Sequence, residues 1–132
     1  MNYVDSQYST LANPEGRLHT GTSAGGAITL YVGFERPQLF RNLALLSPSL
    51  AGPPHYYEPY FSGRKRPDSK LQIWLSAGTH EPHVYQDALT MEAYFIRSET
   101  KLKTSYTHEG HSFGAWRRAA QEMLVHFFES SR

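Results

Sequence analysis

Three residue types that together carry acyl-transfer chemistry stand at turn positions in this chain: a serine between glycines, a glutamate and a histidine. The serine is Ser23, in Gly21-Thr22-Ser23-Ala24-Gly25. A serine hydroxyl is a weak nucleophile at neutral pH. It needs a base to take its proton, and the base needs an acid to orient it. Arg17-Leu18-His19-Thr20 precedes the pentapeptide and Ala27-Ile28-Thr29-Leu30-Tyr31-Val32 follows it, a context that reads as short strand, tight turn and helix. This is the setting of a G-x-S-x-G elbow, where the serine occupies a strained turn and the two glycines let strand and helix approach. The helix start aims free backbone N–H groups at the top of the turn and favours negative charge developing there.

The base and acid are sought beyond the carboxyl ends of later strands, where side chains from separate loops gather. Two turns qualify, Thr79-His80-Glu81 and Glu109-Gly110-His111. His111 is read as the general base, because it follows the last strand in a glycine-hinged turn ahead of a helix. His108 is its rival and is read as part of that strand. Glu81 is the favoured acid. Asp87 is second, inside the next helix, with Asp68 and Glu109 behind it. The Ala24 N–H supplies one oxyanion donor by position. A second donor normally comes from a loop after an earlier strand, and only residues 1–16 precede the nucleophile strand. The pairs His80-x-x-His83 and His108-x-x-His111 lie near Glu81, but neither falls at i,i+4 on one helix. The reading is therefore no metal and no cofactor.

The elements that must position these groups alternate in type. Residues 2–12 read as a helix or irregular lead-in, and Asn13-Pro14-Glu15-Gly16 as a turn. Residues 17–22 read as a strand and 24–35 as a helix ended by Pro37. Asn42 to Leu46 suits a buried parallel strand. Residues 50–70 carry Pro53, Pro54, Pro59 and Pro67 and read as a long connection. Within it Tyr56, Tyr57, Tyr60 and Phe61 either line an aromatic cleft or cover the edge of the core; Tyr56 and Tyr57, with Trp116, are read as substrate-binding. Leu71 to Leu75 reads as a strand, 83–98 as a helix, Lys103 to His108 as a strand and 113–129 as a helix. The last helix carries Trp116, Ala120, Met123, Leu124 and Phe127 on its apolar stripe. The fold class is thus α/β, one domain over residues 1–132, with about four mostly parallel strands and helices on both faces.

Composition narrows the function. The chain has 132 residues, a hydrophobic fraction of 39% and an aromatic fraction of 14%, values of a protein with a packed core. A net charge of +1 argues against nucleic acid or a charged membrane surface as partner. Arg64-Lys65-Arg66 reads as a solvated loop. There is no cysteine, so disulfides, thiolate metal sites and cysteine nucleophiles are excluded. No signal peptide and no membrane-length apolar run is evident; a soluble protein, cytoplasmic by preference, is expected.

Several stretches together resemble the enterochelin esterase-like branch of the esterase D family of α/β-hydrolases. They are Arg17 to Gly26, Phe40-Arg41-Asn42 leading into Leu46-Ser47-Pro48-Ser49, Ser76-Ala77-Gly78-Thr79-His80-Glu81, and Glu109-Gly110-His111-Ser112-Phe113 running into Trp116-Arg117. The chain order Ser…Glu…His is the one this fold uses. The resemblance implies Ser23 as nucleophile, Glu81 as acid and His111 as base. It also implies a serine carboxylic-ester hydrolase acting on small or activated esters, siderophore-like esters among them. The alternative is a non-catalytic module that binds a ligand or partner. The chain looks like the C-terminal half of such an enzyme, and His19 stands where the family usually has an apolar residue. With the family's first strands lacking a counterpart, the nucleophile strand is expected at an open sheet edge. Association, as a symmetric dimer covering that edge, follows.

Overall fold

Asn42-Leu43-Ala44-Leu45-Leu46 is buried at every position, as a parallel strand covered on both faces must be, and the sheet is organised around it. The computed structural model describes residues 2–52, 55 and 57–129. A short helix α1 (Asn2–Gln7) and a single 3₁₀ turn at Pro14–Gly16 lead into β1 (Leu18–Thr22), α2 (Ala24–Glu35) and β2 (Asn42–Leu46). Then follow a four-residue helix α3 (Glu58–Phe61), β3 (Gln72–Gly78), α4 (Pro82–Arg97), β4 (Lys101–Thr107) and α5 (Phe113–Phe128).

The four strands form one sheet in the spatial order β1-β2-β3-β4, and every pairing is parallel. Thr22 lies opposite Leu46, Leu46 opposite Ser76, and Ser76 opposite Ser105. The carboxyl ends of β1 and β2 are therefore level, and β3 and β4 run two residues further. Everything placed just past those ends shares one rim of the sheet.

A chain that steps across a sheet in one direction with crossovers of one hand leaves all its crossover helices on one face. Leu30 and Phe34 of α2, Tyr60 of α3 and Ala88, Met91, Tyr94 and Phe95 of α4 pack with Leu43, Leu45, Ile73, Leu75 and Ala77 in one core. The alternate residues Ala44, Leu46 and Trp74 face the other way, against Met123, Trp116, Ala119, Ala120 and Phe127 of α5. Helices thus cover both faces as expected, but the second face belongs to α5 alone, because it follows the last strand and is free to turn under the sheet. Leu124, read as part of the α5 stripe, is half exposed; Ala119 takes its place.

β4 begins and ends earlier than the sequence suggests. Glu99, at φ 56°, closes α4 sharply, with Thr100 N–H bonded to Phe95 O at 3.0 Å, the left-handed ending usual for helices. The strand then starts at Lys101, and His108 falls outside it. The aromatic cluster of the long connection serves the core. Tyr60 is buried against Phe34, with ring centroids 4.1 Å apart, and Phe61 stacks on Tyr94 at 4.5 Å. Tyr56 lies outside the described residues.

Among the described residues β1 pairs only with β2, so the strand that leads to Ser23 forms an edge of the sheet. Ser23 N–H bonds to Leu46 O. By strand alternation the backbone groups of His19 and Gly21 also face β2, and those of Leu18, Thr20 and Thr22 face outward along the edge.

Candidate active site

Ser23 sits between β1 and α2 with φ 54° and ψ −123°. A side chain rarely adopts that backbone region, and where it does the surrounding structure enforces it. Three backbone hydrogen bonds do so here. Ser23 N–H donates to Leu46 O at 2.9 Å, and Ser23 O accepts from Gly26 N–H at 3.0 Å and Ser49 N–H at 3.1 Å. The elbow is thereby fastened both to its own helix and to the residues after β2.

Steric need falls on two glycines, though not on both of those in the pentapeptide. A Cβ on Gly21 would stand 2.2 Å from Gly25 O, and one on Gly26 would stand 2.8 Å from Pro48 Cβ. A Cβ on Gly25 would meet nothing within 4 Å. Gly21 lets the strand pass under the helix start, and Gly26 lets that helix rest on Pro48. Gly25 is a glycine without a neighbour to avoid, which corrects its assigned steric role.

Beneath the elbow, His19 Nδ1 and Thr29 Oγ1 are 2.9 Å apart, and the imidazole meets Phe40 edge-on at 5.0 Å. Burial holds this histidine below the usual imidazole range, so the neutral ring is the form that fits between β1 and α2. A polar residue is tolerated there because the buried Thr29 hydroxyl partners it.

At the other side of the rim, Glu81 is 5% exposed and its carboxylate is closely bound. Oε2 accepts from Gly78 N–H at 2.6 Å and from the Ser47 hydroxyl at 2.9 Å. Oε1 stands 2.5 Å from His111 Nδ1. A carboxylate only accepts, so Nδ1 donates this bond, and in the neutral imidazole the lone pair is then on Nε2. Gly78 is required for this arrangement. A Cβ there would lie 2.0 Å from Glu109 O and 3.1 Å from Glu81 Oε2.

Trp116 completes the group. Its Nε1–H donates to Ser47 Oγ at 3.1 Å, and its ring meets the His111 imidazole edge-on, centroids 4.8 Å apart and planes at 88°. Ser112 caps α5, accepting from Ala115 N–H at 3.3 Å, which fixes the helix start just after His111. The exposed Phe113 packs edge-on against Trp116 at 5.2 Å.

The rival residues are occupied elsewhere. Asp87 accepts from Leu50 N–H at 2.8 Å and anchors the loop after β2. Asp68 pairs with Arg41, and Glu109 with Arg118. His108 Nδ1 meets Thr79 Oγ1 at 3.2 Å. Tyr57 donates its hydroxyl to Leu50 O at 3.0 Å, and its ring lies 5.4 Å from Phe61, which places it at the core edge. Among the described residues, no group of three or more His, Cys, Asp or Glu is arranged to hold a metal ion.

The structure brings Glu81 and His111 together and puts Ser23 on the same rim. Ser23 makes no side-chain hydrogen bond to cap its helix, and among the described residues none joins its hydroxyl to His111. A void of about 20 Å³, room for one water, lies behind the acid, lined by Ser47, Ser76, Gly78, Ser105 and Glu109 among others. A larger cavity of about 660 Å³ opens between Tyr60, Lys65, Arg66, Tyr94 and Arg97. It lies at the amino ends of β3 and β4, away from this chemistry. Ser47 is the residue that the sequence left without a role; it entered there only within the stretch Leu46 to Ser49. Its one signal is its place right after β2, level with the elbow.

A parallel α/β sheet with a strained serine turn after one strand, and an acid–histidine pair gathered from the turns after two others, defines an α/β-hydrolase-like fold. The Esterase family model (Putative esterase) matches residues 1–127, and the chain belongs to that family. No curated protein matches it. Among solved structures it is similar to the enterobactin esterase FES from Shigella flexneri in the presence of 2,3-dihydroxy-N-benzoyl-glycine. The TM-score is 0.86 at 20% identity, over 98% of this chain and 36% of that one. S-formylglutathione hydrolase (FrmB) from Staphylococcus aureus gives 0.76 at 15% identity, over 96% and 56%. The fluorophosphonate-binding serine hydrolase FphF from Staphylococcus aureus also gives 0.76 at 15% identity, over 96% and 59%. At these identities the likeness is one of fold. The chain spans little more than a third of the length of FES. Among the described residues no helix is long and apolar enough to cross a membrane.

Proposed function

We propose that this chain is a serine carboxylic-ester hydrolase acting on small or activated esters through Ser23, His111 and Glu81. The observation that carries the reading is the 2.5 Å bond from His111 Nδ1 to the buried Glu81 carboxylate, on the rim that also holds Ser23 at φ 54°. That bond presents Nε2 as the base. Ser23 Oγ attacks the ester carbonyl as its proton passes to Nε2. The alkoxide of the alcohol then leaves with that proton, and water repeats the sequence on the acyl-enzyme. Glu81 holds the tautomer and offsets the imidazolium charge that forms midway. Ala24 N–H, first in α2, donates to the oxyanion.

Siderophore-like esters are the substrate class favoured within this reading, supported by the likeness to FES. Association belongs to it as well. Among the described residues β1 leaves one strand edge unpaired, and a second copy of the chain pairing there would cover it. The elbow lies at the end of that edge, so a partner could also bring the second oxyanion donor.

Hydrolysis of p-nitrophenyl esters by the purified chain, beside Ser23→Ala and across protein concentration, tests the proposal. Activity confined to the unmutated chain supports it, and specific activity that rises with concentration supports association. Equal rates in the two proteins refute the hydrolase. A second reading, a non-catalytic module that binds a ligand or partner, is favoured by one observation: the Ser23 hydroxyl has no hydrogen bond to His111. Stoichiometric labelling of Ser23 by a fluorophosphonate would rule it out.

A further inference from the structure

We propose that Ser47 is a positioning residue that ties the acid–histidine pair to the nucleophile elbow; this rests on the hydrolase reading above. Ser47 follows β2, the strand between the elbow's strand β1 and the acid's strand β3. Its backbone neighbours hold the elbow, since Leu46 O accepts from Ser23 N–H and Ser49 N–H donates to Ser23 O. Its own N–H reaches the other way, to Ser76 O at 2.7 Å. Its side chain reaches the acid and α5, donating to Glu81 Oε2 at 2.9 Å and accepting from Trp116 Nε1–H at 3.1 Å. One residue thus contacts strand, acid and helix.

The direction of this chain of hydrogen bonds is fixed by chemistry. An indole N–H only donates and a carboxylate only accepts. The single Ser47 proton must therefore point at Glu81, and its lone pair at Trp116. Each bond polarises the next in the same sense. With Oε2 filled by Ser47 and Gly78, Oε1 alone is left for His111. The ring that donates to Ser47 also stands edge-on to the imidazole, so the Ser47–Trp116 bond sets the imidazole from its second side.

The backbone adds an independent sign. Ser47 is 3% exposed and adopts φ 46°, in the region that favours glycine. Glycine would relieve the turn but has no hydroxyl. The side chain that stands there in spite of the turn has both of its hydrogen-bonding capacities used by the site.

Ser47→Gly separates the two contributions, because it deletes the hydroxyl while relaxing the backbone. In the full chain we expect kcat on a p-nitrophenyl ester to fall roughly 10- to 100-fold, the scale on which outer hydrogen-bond partners act at metal sites, with KM little changed. The downfield proton NMR signal of the His111 Nδ1–H, identified by its loss in His111→Gln, should shift or broaden in Ser47→Gly while the melting temperature holds or rises. Trp116→Phe should give a smaller loss of kcat. The double variant should be little worse than Ser47→Gly, as for two members of one network. A Ser47→Gly protein with unchanged kcat and an unmoved Nδ1–H signal overturns the inference. So does a loss of kcat that only follows a loss of stability, with the signal unmoved. If the unmutated chain hydrolyses no ester and takes up no fluorophosphonate, the hydrolase reading fails. The NMR signal then decides alone whether Ser47 sets the His111–Glu81 pair.

Discussion

Ser23 and Glu81 each sit just past the end of a strand, yet they are finished to different degrees. Glu81 follows β3, an interior strand, and is 5% exposed, with three described donors within 2.9 Å of its carboxylate. Ser23 follows β1, an edge strand, and only its backbone is held. A strand with neighbours on both sides can wall in a charged group and surround it with donors, as a buried carboxylate requires. An edge strand is walled on one side, and Ser23 is held there through its backbone, by Gly26 of its own helix and by Leu46 and Ser49 of the neighbouring strand and its loop. Glu81 is set through its side chain, and Ser23 through its backbone.

Variants test this contrast from both sides. The largest effect is expected of Ser23→Ala, which should bring ester hydrolysis down to the rate in buffer, on the order of 10⁴-fold or more, with little change in unfolding by urea. A Ser23→Ala protein as active as its parent would put the chemistry elsewhere on the rim. Glu81→Gln should lower kcat about 10⁴-fold and also destabilise the fold. An amide cannot accept from Ser47, Gly78 and His111 at once, whereas the carboxylate does. If urea unfolding of Glu81→Gln matched the parent, the acid side would be no better built than the elbow.

The elbow's dependence on its own turn is tested by its glycines. Gly21→Ala, whose Cβ would press on Gly25 O, should cost about 2–3 kcal/mol, read as a clear drop in melting temperature. Gly25→Ala has open space and should gain about 0.5–1 kcal/mol from better helix propensity. Equal melting temperatures for the two variants would contradict the close strand–helix crossing.

The smallest effect is in pH. Burial lowers the folded-state pKa of His19, and chiefly burial that of His126, so below the unfolded value near 6.5 the unfolded chain binds more protons. Stability should then be fully present above about pH 6.5 and decline as pH falls through the window below it. Thermal melts between pH 8 and 5 should show this decline, and His19→Val should flatten part of it. A melting temperature that rose on acidification would show that both rings are charged in the folded state.

Much of the fold was legible locally. Strand and helix alternation, the apolar run Leu43–Leu46 of β2 and the elbow pentapeptide placed β1, α2 and β2 within a residue or so of their observed limits, because period and turn chemistry act over a few residues. Glu81 and His111, preferred for their place after a strand end, are the two that the structure joins, while Asp87 and His108 make other hydrogen bonds. The misreadings share one cause, dependence on distant neighbours. Gly25 looked as constrained as Gly21, yet only the packing of strand against helix distinguishes them. For Tyr60 and Phe61 the sequence left cleft and core edge open, and the choice depends on where α2 and α4 lie.

The sequence by itself determined the parallel α/β sheet, its alternation of strand and helix and the residue types that carry the proposed acyl chemistry, because these follow from periodicity, glycine placement and side-chain type along short stretches. Only the tertiary structure decided which carboxylate meets the histidine, that α5 alone covers the second face, and that Ser47 joins the two sides of the rim. Those pairings span 30, 34 and 69 residues, and contacts between turns so far apart exist only once the sheet has brought its strand ends level.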